Sequence, residues 1–476
     1  MRNRPGGDRL NATPTGEKMT NYAVEQTEAP TTSTSARRKA AVAAMLGTMI
    51  DSSDLVLYAY LAVYTAPLFF PNENPIVSVL ATLGVYAVGF VARPLGGILF
   101  GRMGDVRGRQ VTLVATIMLM GCATLVLGLV PTYETIGIVA PALVLLARIA
   151  QGIAAGGEVI GAATYALESS TPGRRGLYSS MTPLGSILGL AVAPVVIGLT
   201  TLAVGSEDMA TWGWRIPFFV AFILTIGVLA FRLRIEDSIE FQKLEKAGAI
   251  SKTPLREAWR NHKLTILLTV VMGTGTLYIV YAIPVYLPVY FTTATELSRA
   301  SVPWITAAVM LASAPMVVIG GLCADRFGRT RFLVIMLLVL GGIGYPLFAV
   351  LSSGSVGVVQ IAFVYLFAMI LTNLALAATY QAFSDVFPPR IRYTAAAIGY
   401  NVGNMIGAGF GPLVSTALIE SSGNERAPGF LLIGGAVLGI VGLLAVTRLH
   451  RPQTETAPET LSMSERGRLP KWMGRS

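Results

Sequence analysis

Long apolar runs constrain this chain more than any other feature. Residues 112–130 and 216–231 form runs of 19 and 16 residues without a charged side chain. A helix needs about 20 mostly apolar residues to cross a hydrocarbon core about 30 Å thick. Comparable runs recur from about residue 40 to residue 450, too many for one buried core, and they lack the alternating polarity of barrel strands. We therefore predict an all-α polytopic membrane protein.

The composition agrees with that prediction. Only 13% of the 476 residues are charged, and the mean hydropathy is +0.62, whereas soluble domains carry about 25% charged residues. The net charge of +10 does not indicate nucleic-acid binding, because the basic residues occur in short clusters between the apolar runs. The expected partner is a lipid bilayer, and no nucleic acid is expected.

Residues suited to catalysis or metal binding are sparse. Cys122 and Cys323 lie in or beside apolar runs, which is typical of small packing residues and not of a disulfide framework. The two histidines, His262 and His450, flank the apolar runs. The sequence offers no metal-ligand spacing and no Ser/His/Asp constellation. We therefore expect no enzyme, no metal site and no cofactor.

The apolar runs divide into twelve predicted spans, separated six and six by a polar segment at 235–262. This division predicts an N-terminal half at 39–234 and a C-terminal half at 263–448, joined by a central loop. Residues 1–38 are expected to be a disordered tail without a signal peptide, with Met1 or Met19 as the start, and 449–476 a second tail. The predicted spans are 40–66, 76–100, 110–130, 136–164, 177–204, 212–234, 263–291, 300–323, 331–352, 356–384, 392–419 and 428–448.

Alternate connections between the spans are basic, and the others carry mainly acids. By the positive-inside rule, the basic loops, the central loop and both termini are predicted to be cytoplasmic. The even number of spans agrees, so we expect a multi-pass protein of the cell membrane. The basic loops contain Arg102, Arg107 and Arg109, then Arg174 and Arg175, then Arg326, Arg329 and Arg331, and finally Arg390 and Arg392.

One short loop occurs twice. GRMGDVRGRQ at 101–110 separates the second and third spans, and GLCADRFGRT at 321–330 separates the eighth and ninth. Because the two loops occupy equivalent places, the halves are predicted to be copies in the same orientation, which is a known transporter plan. The residues that match at a constant offset of 220 are Gly101, Asp105, Gly108 and Arg109 in the first loop and Gly321, Asp325, Gly328 and Arg329 in the second.

This loop pair resembles the G-x-x-x-D-x-x-G-R signature of the major facilitator superfamily. Four further stretches are similar to its metabolite:proton symporter family: ARIAQGIAAGGEVIGAATYALESSTPGRRG, GWRIPF, RLRIEDSIEFQKL and YNVGNMIGAGFGPL. The resemblance implies two six-helix halves that alternate access, with the paired loops holding their cytoplasmic ends together. Because a helix N-terminus favours an acid, Asp105 and Asp325 are expected to contact the helices that follow Arg390 and Arg175.

The first span departs from the family pattern. Relatives commonly read G-x-x-x-E-W-Y-D-F-x-x-Y there, whereas this chain reads GTMIDSSDLVLY at 47–58. Both acids keep their spacing, but the first is Asp51 instead of Glu and three aromatic side chains are absent. We expect a wider or wetter site than in those relatives.

The acids of the first span are the leading candidates for proton coupling. An acid at membrane depth is costly, so it is expected to face a cavity or the protein interior. Spacings of three and four place Asp51, Asp54 and Tyr58 on one helix face. Asp51 is expected to carry the proton, alternating between an apolar setting and Arg148, with Asp54 tuning it and Glu158 the next candidate. The alternative is a structural acid paired to an arginine.

Buried cations and amides are the candidates for substrate binding. Arg148 is expected to hold a substrate carboxylate or to be the counter-ion of the acids in the first span, and Arg93 supplies further buried positive charge. Tyr58 and Gln151 are expected to contact the substrate as well. Glu158 is expected to pair with Arg93 in a gating or structural role. Polar residues of the second half are expected either to line the same site or to bond helix to helix. They are Tyr278, Tyr281, Asn373, Tyr380, Gln381, Asn401 and Asn404.

Together these features predict a monomeric, proton-coupled symporter that imports a small polar metabolite by alternating access. An organic acid anion is preferred because Arg93 and Arg148 supply buried positive charge, and a betaine- or proline-like zwitterion comes second. The tail after residue 450 shows no heptads, unlike the long C-terminal segment of osmosensing relatives. A proton-driven exporter and a non-transporting membrane sensor are competing hypotheses, and the sensor would need a signalling domain that the sequence does not display.

Overall fold

A computed structural model of the chain describes residues 34–73, 75–171, 173–294, 302–353 and 357–449. The predicted tails fall outside these residues, except that 34–38 and Leu449 belong to helices. The described residues form helices and their connections, and twelve of the helices are long and apolar enough to span a membrane. The all-α prediction with twelve spans is therefore confirmed.

The membrane helices are numbered here in chain order. Their bounds follow the predicted spans to within a few residues, apart from the first, second and seventh. They are α1 (Thr34–Phe69), α2 (Pro75–Arg107), α3 (Arg109–Leu129), α4 (Val139–Glu168), α5 (Arg175–Val204), α6 (Arg215–Arg232), α7 (Pro254–Phe291), α8 (Val302–Phe327), α9 (Arg329–Leu351), α10 (Val358–Asp385), α11 (Arg392–Ser422) and α12 (Ala427–Leu449).

The seventh helix begins at Pro254 instead of residue 263. The first residues of this helix are polar, which is why the sequence favoured a loop there. Pro254 suits the first position of a helix, and the helix that it starts is interrupted at His262 (φ −131°, ψ 19°). Two membrane helices contain a π-helical turn, Ala282–Tyr286 in α7 and Met405–Gly409 in α11. The central segment contains the short helix Ile239–Lys246.

The helices pack as two groups with repeated contacts. In the first half α1 packs on α5, α2 on α4, and α3 on α4 and α6; in the second half α7 packs on α11 and α12, α8 on α10, and α9 on α10 and α12. The largest contacts between the halves join α2 to α11 and α5 to α8. These two pairs exchange places when the first half is superposed on the second, as expected for parallel repeats.

One hydrogen bond marks the axis between the repeats. Thr164 Oγ1 of α4 lies 3.3 Å from Ser384 Oγ of α10, and the two residues are 220 positions apart. That separation equals the offset between the two loops, so Thr164 and Ser384 are repeat equivalents that touch. Equivalent residues can touch only near the axis that relates them. The axis therefore passes between α4 and α10.

Candidate functional site

Asp54 lies in a polar cluster formed entirely by the first half. Its carboxylate Oδ2 accepts hydrogen bonds from Thr124 Oγ1 of α3 and, at 3.2 Å, from Gln151 Nε2 of α4. The other oxygen, Oδ1, is buried without a hydrogen-bond donor. Keeping a full charge on a buried oxygen without a donor is costly, so this geometry suits a protonated carboxyl. Thr124 was not singled out from the sequence, because a threonine in an apolar run has no distinguishing pattern.

Arg148 is enclosed next to this cluster. Its Nη1 donates to Gln151 Oε1 at 2.8 Å, and its guanidinium carbon lies 4.5 Å and 5.3 Å from the ring centroids of Tyr58 and Tyr86. Cation–π contacts of this kind stabilise an arginine that lacks a carboxylate partner. Arg148 thus reaches Asp54 through Gln151 and is held between rings within the first half.

Asp51 and Arg93 face the space between the halves. Both line a cavity of about 20 Å³ beside Asp54 and Arg148, and both also line a second cavity of about 20 Å³ that Tyr281 and Tyr380 border. Each volume holds about one water molecule. Asp51 and Arg93 therefore join the Asp54 cluster to the boundary with the second half.

Arg93 has the more available guanidinium of the two arginines. It is buried, and among the described residues it forms no ion pair and no hydrogen bond, although its guanidinium carbon lies 4.7 Å from the ring centroid of Phe90. Ionisable groups close enough to act on it include Asp51, Tyr281, Tyr400 and Tyr86. An arginine that faces a cavity without a salt bridge is suited to binding an incoming carboxylate.

The second half contributes fewer of the predicted residues to this site. Tyr281 and Tyr380 line the cavity with Asp51. The others make contacts elsewhere: Tyr278 lies 2.9 Å from Ser415, Asn373 donates to Ser313, Gln381 donates to Asp385, Asn401 donates to Gly156 O of α4, and Asn404 is buried without lining either cavity. All of these except Asn404 form hydrogen bonds within or between helices, which is the second of the two roles expected for them.

The predicted pairing of Glu158 with Arg93 is wrong. Glu158 forms a bidentate ion pair with Arg232, at 2.7 Å for one of the two contacts, and accepts a hydrogen bond from Thr116 Oγ1 at 2.8 Å. Arg232 also donates to Leu113 O and Ala43 O. Arg232 is the last residue of α6, and a cation at the end of a span is typical of a loop, whereas Arg232 is completely buried.

A larger cavity lies on the side away from the basic loops. It measures about 370 Å³ and its lining comes from both halves, including Tyr60, Tyr86, Leu190, Pro284 and Pro303. Leu190 and Pro284 also line the small cavity at Asp51. The space between the halves is therefore widest on that side and narrows toward Asp51 and Arg93.

On the basic side the first repeated loop holds the halves together. Asp105 Oδ1 and Oδ2 accept hydrogen bonds from Tyr393 N at 3.3 Å and Thr394 N at 2.8 Å, at the start of α11. Asp105 also lies 3.2 Å from Arg109, and both side chains are buried. The expected contact of Asp105 with the helix after Arg390 is present.

The second loop repeats this contact in the other direction. Asp325 accepts hydrogen bonds from Gly176 N at 2.6 Å and Leu177 N at 3.0 Å, at the start of α5. The expected contact with the helix after Arg175 is therefore also present. Each half supplies one aspartate and one helix N-terminus, so two equivalent contacts close the basic side.

Glycine is required in the repeated loops for two separate structural reasons. Gly108 and Gly328 have φ values of 106° and 85°, in the left-handed region that favours glycine, and each separates two membrane helices. Gly321 packs against the facing helix so closely that a Cβ atom would lie 2.5 Å from Gly176 O, and one on Gly101 would lie 2.8 Å from Thr394 Cα. A larger residue at either place would push α5 or α11 away.

Two acids that sequence reasoning missed, Glu168 and Asp385, reinforce these contacts. Arg109 donates to Glu168 at 2.9 Å, and Arg329 donates to Asp385 at 3.1 Å. Each acid also pairs with an arginine of the opposite half, Glu168 with Arg392 at 3.2 Å and Asp385 with Arg175 at 3.0 Å. A repeated pattern could have revealed both, because each acid ends a span and is followed within seven residues by at least one proline and by two arginines.

The central segment is tied into the same network. Glu240 pairs with Arg392 and lies 3.6 Å from Arg175, so one acid contacts both repeats. Asp237 accepts Arg109 N at 3.0 Å and Gln110 N at 3.3 Å at the start of α3. Burial raises the pKa of Asp237, and its backbone N–H donors act in the opposite direction.

A family model described as the Major Facilitator Superfamily matches residues 42–293 and 279–472. The chain belongs to the major facilitator superfamily. Curated superfamily relatives are named as transporters. The inner membrane metabolite transport protein YhjE of Escherichia coli K12 is 37% identical over 418 residues, which cover 86% of this chain and 93% of that protein. The protein is therefore a multi-pass membrane transporter of this superfamily, acting on small molecules.

Two further relatives differ in the solutes that their names state. The glycine betaine/proline/ectoine/pipecolic acid transporter OusA of Dickeya dadantii is 34% identical over 442 residues, covering 90% of this chain and 87% of its own. The shikimate transporter of Escherichia coli K12 is 32% identical over 430 residues, covering 88% and 97%. Among solved structures, the proton:xylose symporter XylE bound to 6-bromo-6-deoxy-D-glucose superposes with a TM-score of 0.71 over 87% of this chain and 96% of its own, at 17% identity. That superposition supports the major facilitator fold alone.

Proposed function

We propose that this transporter is a proton-coupled symporter that takes up a small carboxylate-bearing metabolite by alternating access. The observation that carries the proposal is Arg93, a buried guanidinium without an ion pair in the described chain, beside Asp51 at the boundary between the halves. A substrate carboxylate would supply the missing partner and would be held by both halves. Because both halves belong to one chain, a monomer is sufficient for transport.

The lining around Arg93 favours a compact acid with a partly apolar body. Leu55, Ile187, Leu190, Pro284 and Leu376 provide apolar surface near the guanidinium, and hydroxyl groups come from Ser52, Ser186, Tyr281 and Tyr380. A zwitterion is the second candidate, because Asp51 beside Arg93 offers a counter-charge to an ammonium group. The names of the betaine and proline transporters among the relatives favour that candidate as well.

We assign the proton to Asp54, whereas sequence reasoning favoured Asp51. Asp54 has two hydrogen-bond donors and one buried oxygen without a donor, and it is separated from the second half. Asp51 instead shares the inter-half cavity with Arg93, where it can respond to substrate. When a substrate carboxylate neutralises Arg93, the pair of acids loses a nearby cation, and a proton on Asp54 restores the charge balance.

The loop contacts define the state of the molecule within this cycle. The basic side is closed by Asp105 and Asp325, and the space opposite remains wide. If the basic side is cytoplasmic, as the loop charges favour, this arrangement is closed to the cytoplasm. Opening it requires both aspartates to release the helix N-termini of the opposite half.

The proposal predicts that transport depends on the substrate carboxylate. In proteoliposomes with an inward pH gradient, labelled small carboxylates should be accumulated, and a transported acid should outcompete its carboxamide analogue by at least about tenfold. Replacing the charge-assisted hydrogen bonds of a carboxylate costs roughly 1.5–3 kcal/mol. Addition of substrate to vesicles without a gradient should also acidify the lumen.

Variant Arg93→Gln provides the control for this experiment. The preference for carboxylate over carboxamide should disappear in Arg93→Gln, since no cation then distinguishes the two. If the wild-type protein prefers zwitterions over simple acids, the second candidate is correct. Extrusion of a labelled compound against its gradient, without uptake of carboxylates, would instead identify an exporter.

The orientation yields a separate prediction. In a variant with Cys122 and Cys323 replaced by serine, a cysteine at Asn261 on the basic side should resist an impermeant thiol reagent in intact cells. A cysteine at Asn72, between α1 and α2, should react within the same exposure time. The reverse pattern would place the basic side outside the cell and would contradict the positive-inside assignment.

A further inference from the structure

The helical arm that precedes the membrane part of α7, residues 254–261, has three distinct faces. Pro254 and Ala258 are buried against the protein. Leu255 and Trp259, one turn apart, are 36% and 55% exposed. A third face presents Arg256 and Arg260, which are also exposed and one turn apart. The arm therefore shows an apolar strip and a cationic strip to its surroundings.

The surroundings of the arm include the lipid-facing surface of α7. The arm ends at the break at His262, and directly beyond it Leu264 and Leu267 are 54% and 52% exposed, as expected of side chains in contact with acyl chains. Exposed Lys263 stands at the junction, and exposed Lys252 precedes the arm. The arm is thus placed where the hydrocarbon region gives way to the headgroup region.

The only acid on the arm does not cancel these cations. Glu257 is half-buried, accepts a hydrogen bond from Ser251 Oγ at 2.7 Å, and lies 3.8 Å from Arg390 of the α10–α11 connection. Glu257 therefore faces the protein, and the outward-facing charges are positive. A tryptophan beside arginines at the edge of a span is typical of an element that lies in the membrane interface.

We propose that residues 252–263 form a binding surface for anionic phospholipid headgroups, with Arg256 and Arg260 contacting the phosphates and with Leu255 and Trp259 inserted among the upper acyl chains. This surface is distinct from the substrate site and does not depend on the transported solute. Each basic residue near an anionic membrane surface favours it by about 1 kcal/mol, or about fivefold. Two arginines are therefore enough to enrich anionic lipids at the arm.

The surface can be tested with the full-length protein in lipid nanodiscs that contain brominated lipids. The fluorescence of Trp259 is obtained as the difference between the wild-type protein and Trp259→Phe. Brominated phosphatidylglycerol, present as a minor component in phosphatidylcholine, should quench this signal severalfold more than the same fraction of brominated phosphatidylcholine. The double variant Arg256→Gln/Arg260→Gln should remove the excess quenching.

The double variant Lys243→Gln/Lys246→Gln is the matched control. Both lysines are exposed on the helix Ile239–Lys246 on the same side of the protein, and the change in charge is identical. The excess quenching should persist in this control. Equal quenching by the two lipids in the wild-type protein would overturn the headgroup assignment. Absence of quenching by either lipid would show that the arm does not lie on the bilayer.

Discussion

Asp54→Asn is expected to abolish accumulation of substrate driven by a pH gradient while leaving exchange of substrate across the membrane intact. Asparagine reproduces the neutral form of the carboxyl, and its amide oxygen can still accept from Thr124 and Gln151. The variant can therefore change conformation when loaded but cannot carry a proton. A gradient of one pH unit stores about 1.4 kcal/mol, enough for about tenfold accumulation by the wild-type protein. The Asp54→Asn variant should show no accumulation.

Variants of the neighbouring acids separate this assignment from its rivals. Asp51→Asn should weaken substrate binding, because Asp51 shares the cavity with Arg93, but should preserve accumulation at saturating substrate. Thr124→Val should keep coupling and shift its pH dependence, because it removes one hydrogen bond to the carboxyl. If Asp51→Asn loses accumulation and Asp54→Asn retains it, Asp51 is the carrier. If both retain it, Glu158→Gln is the variant to measure next.

The parts of the structure that sequence reasoning predicted follow local rules. Span number follows from the lengths of the apolar runs, and the partners of Asp105 and Asp325 follow from the preference of acids for helix N-termini. The 220-residue offset of the loops predicts the parallel halves. Each of these inferences needs only the order of residues along the chain.

The predicted pairing of Glu158 with Arg93 failed because it depended on how each helix is oriented about its own axis. Depth along α2 and α4 allowed Arg93 to meet Glu158, but Glu158 faces α6, where Arg232 forms its ion pair. For Asn373 and Tyr278 the sequence left two roles open, and helix rotation decides between them. They face Ser313 and Ser415 of neighbouring helices within the second half, which is the helix-to-helix alternative. In a membrane helix that is apolar all round, the pattern of polarity does not specify which face meets the cavity.

Removal of the loop acids should open the basic side of the transporter. In Asp105→Ala, Tyr393 N and Thr394 N lose their acceptor in the closed state, whereas water can replace it when the halves separate. A buried N–H without an acceptor costs about 1–3 kcal/mol, so two of them together should favour the open state by about thirtyfold or more. Asp325→Ala should have a smaller effect, because Asp325 is only partly buried.

A cysteine at Ser384 reports this change, because Ser384 is buried on the repeat axis behind both loop contacts. In inside-out vesicles and without the native cysteines, maleimide should modify it faster in Asp105→Ala and, less so, in Asp325→Ala. In the double variant, the free energy of opening should change by less than the sum of the two single changes, since both contacts bias one equilibrium.

Glu207→Ala is the control, because it removes an exposed acid on the opposite side. It should leave the rate of maleimide modification unchanged. Unaltered modification in both loop variants would mean that the aspartates do not hold the halves closed, and their role would then be confined to orienting the chain in the membrane.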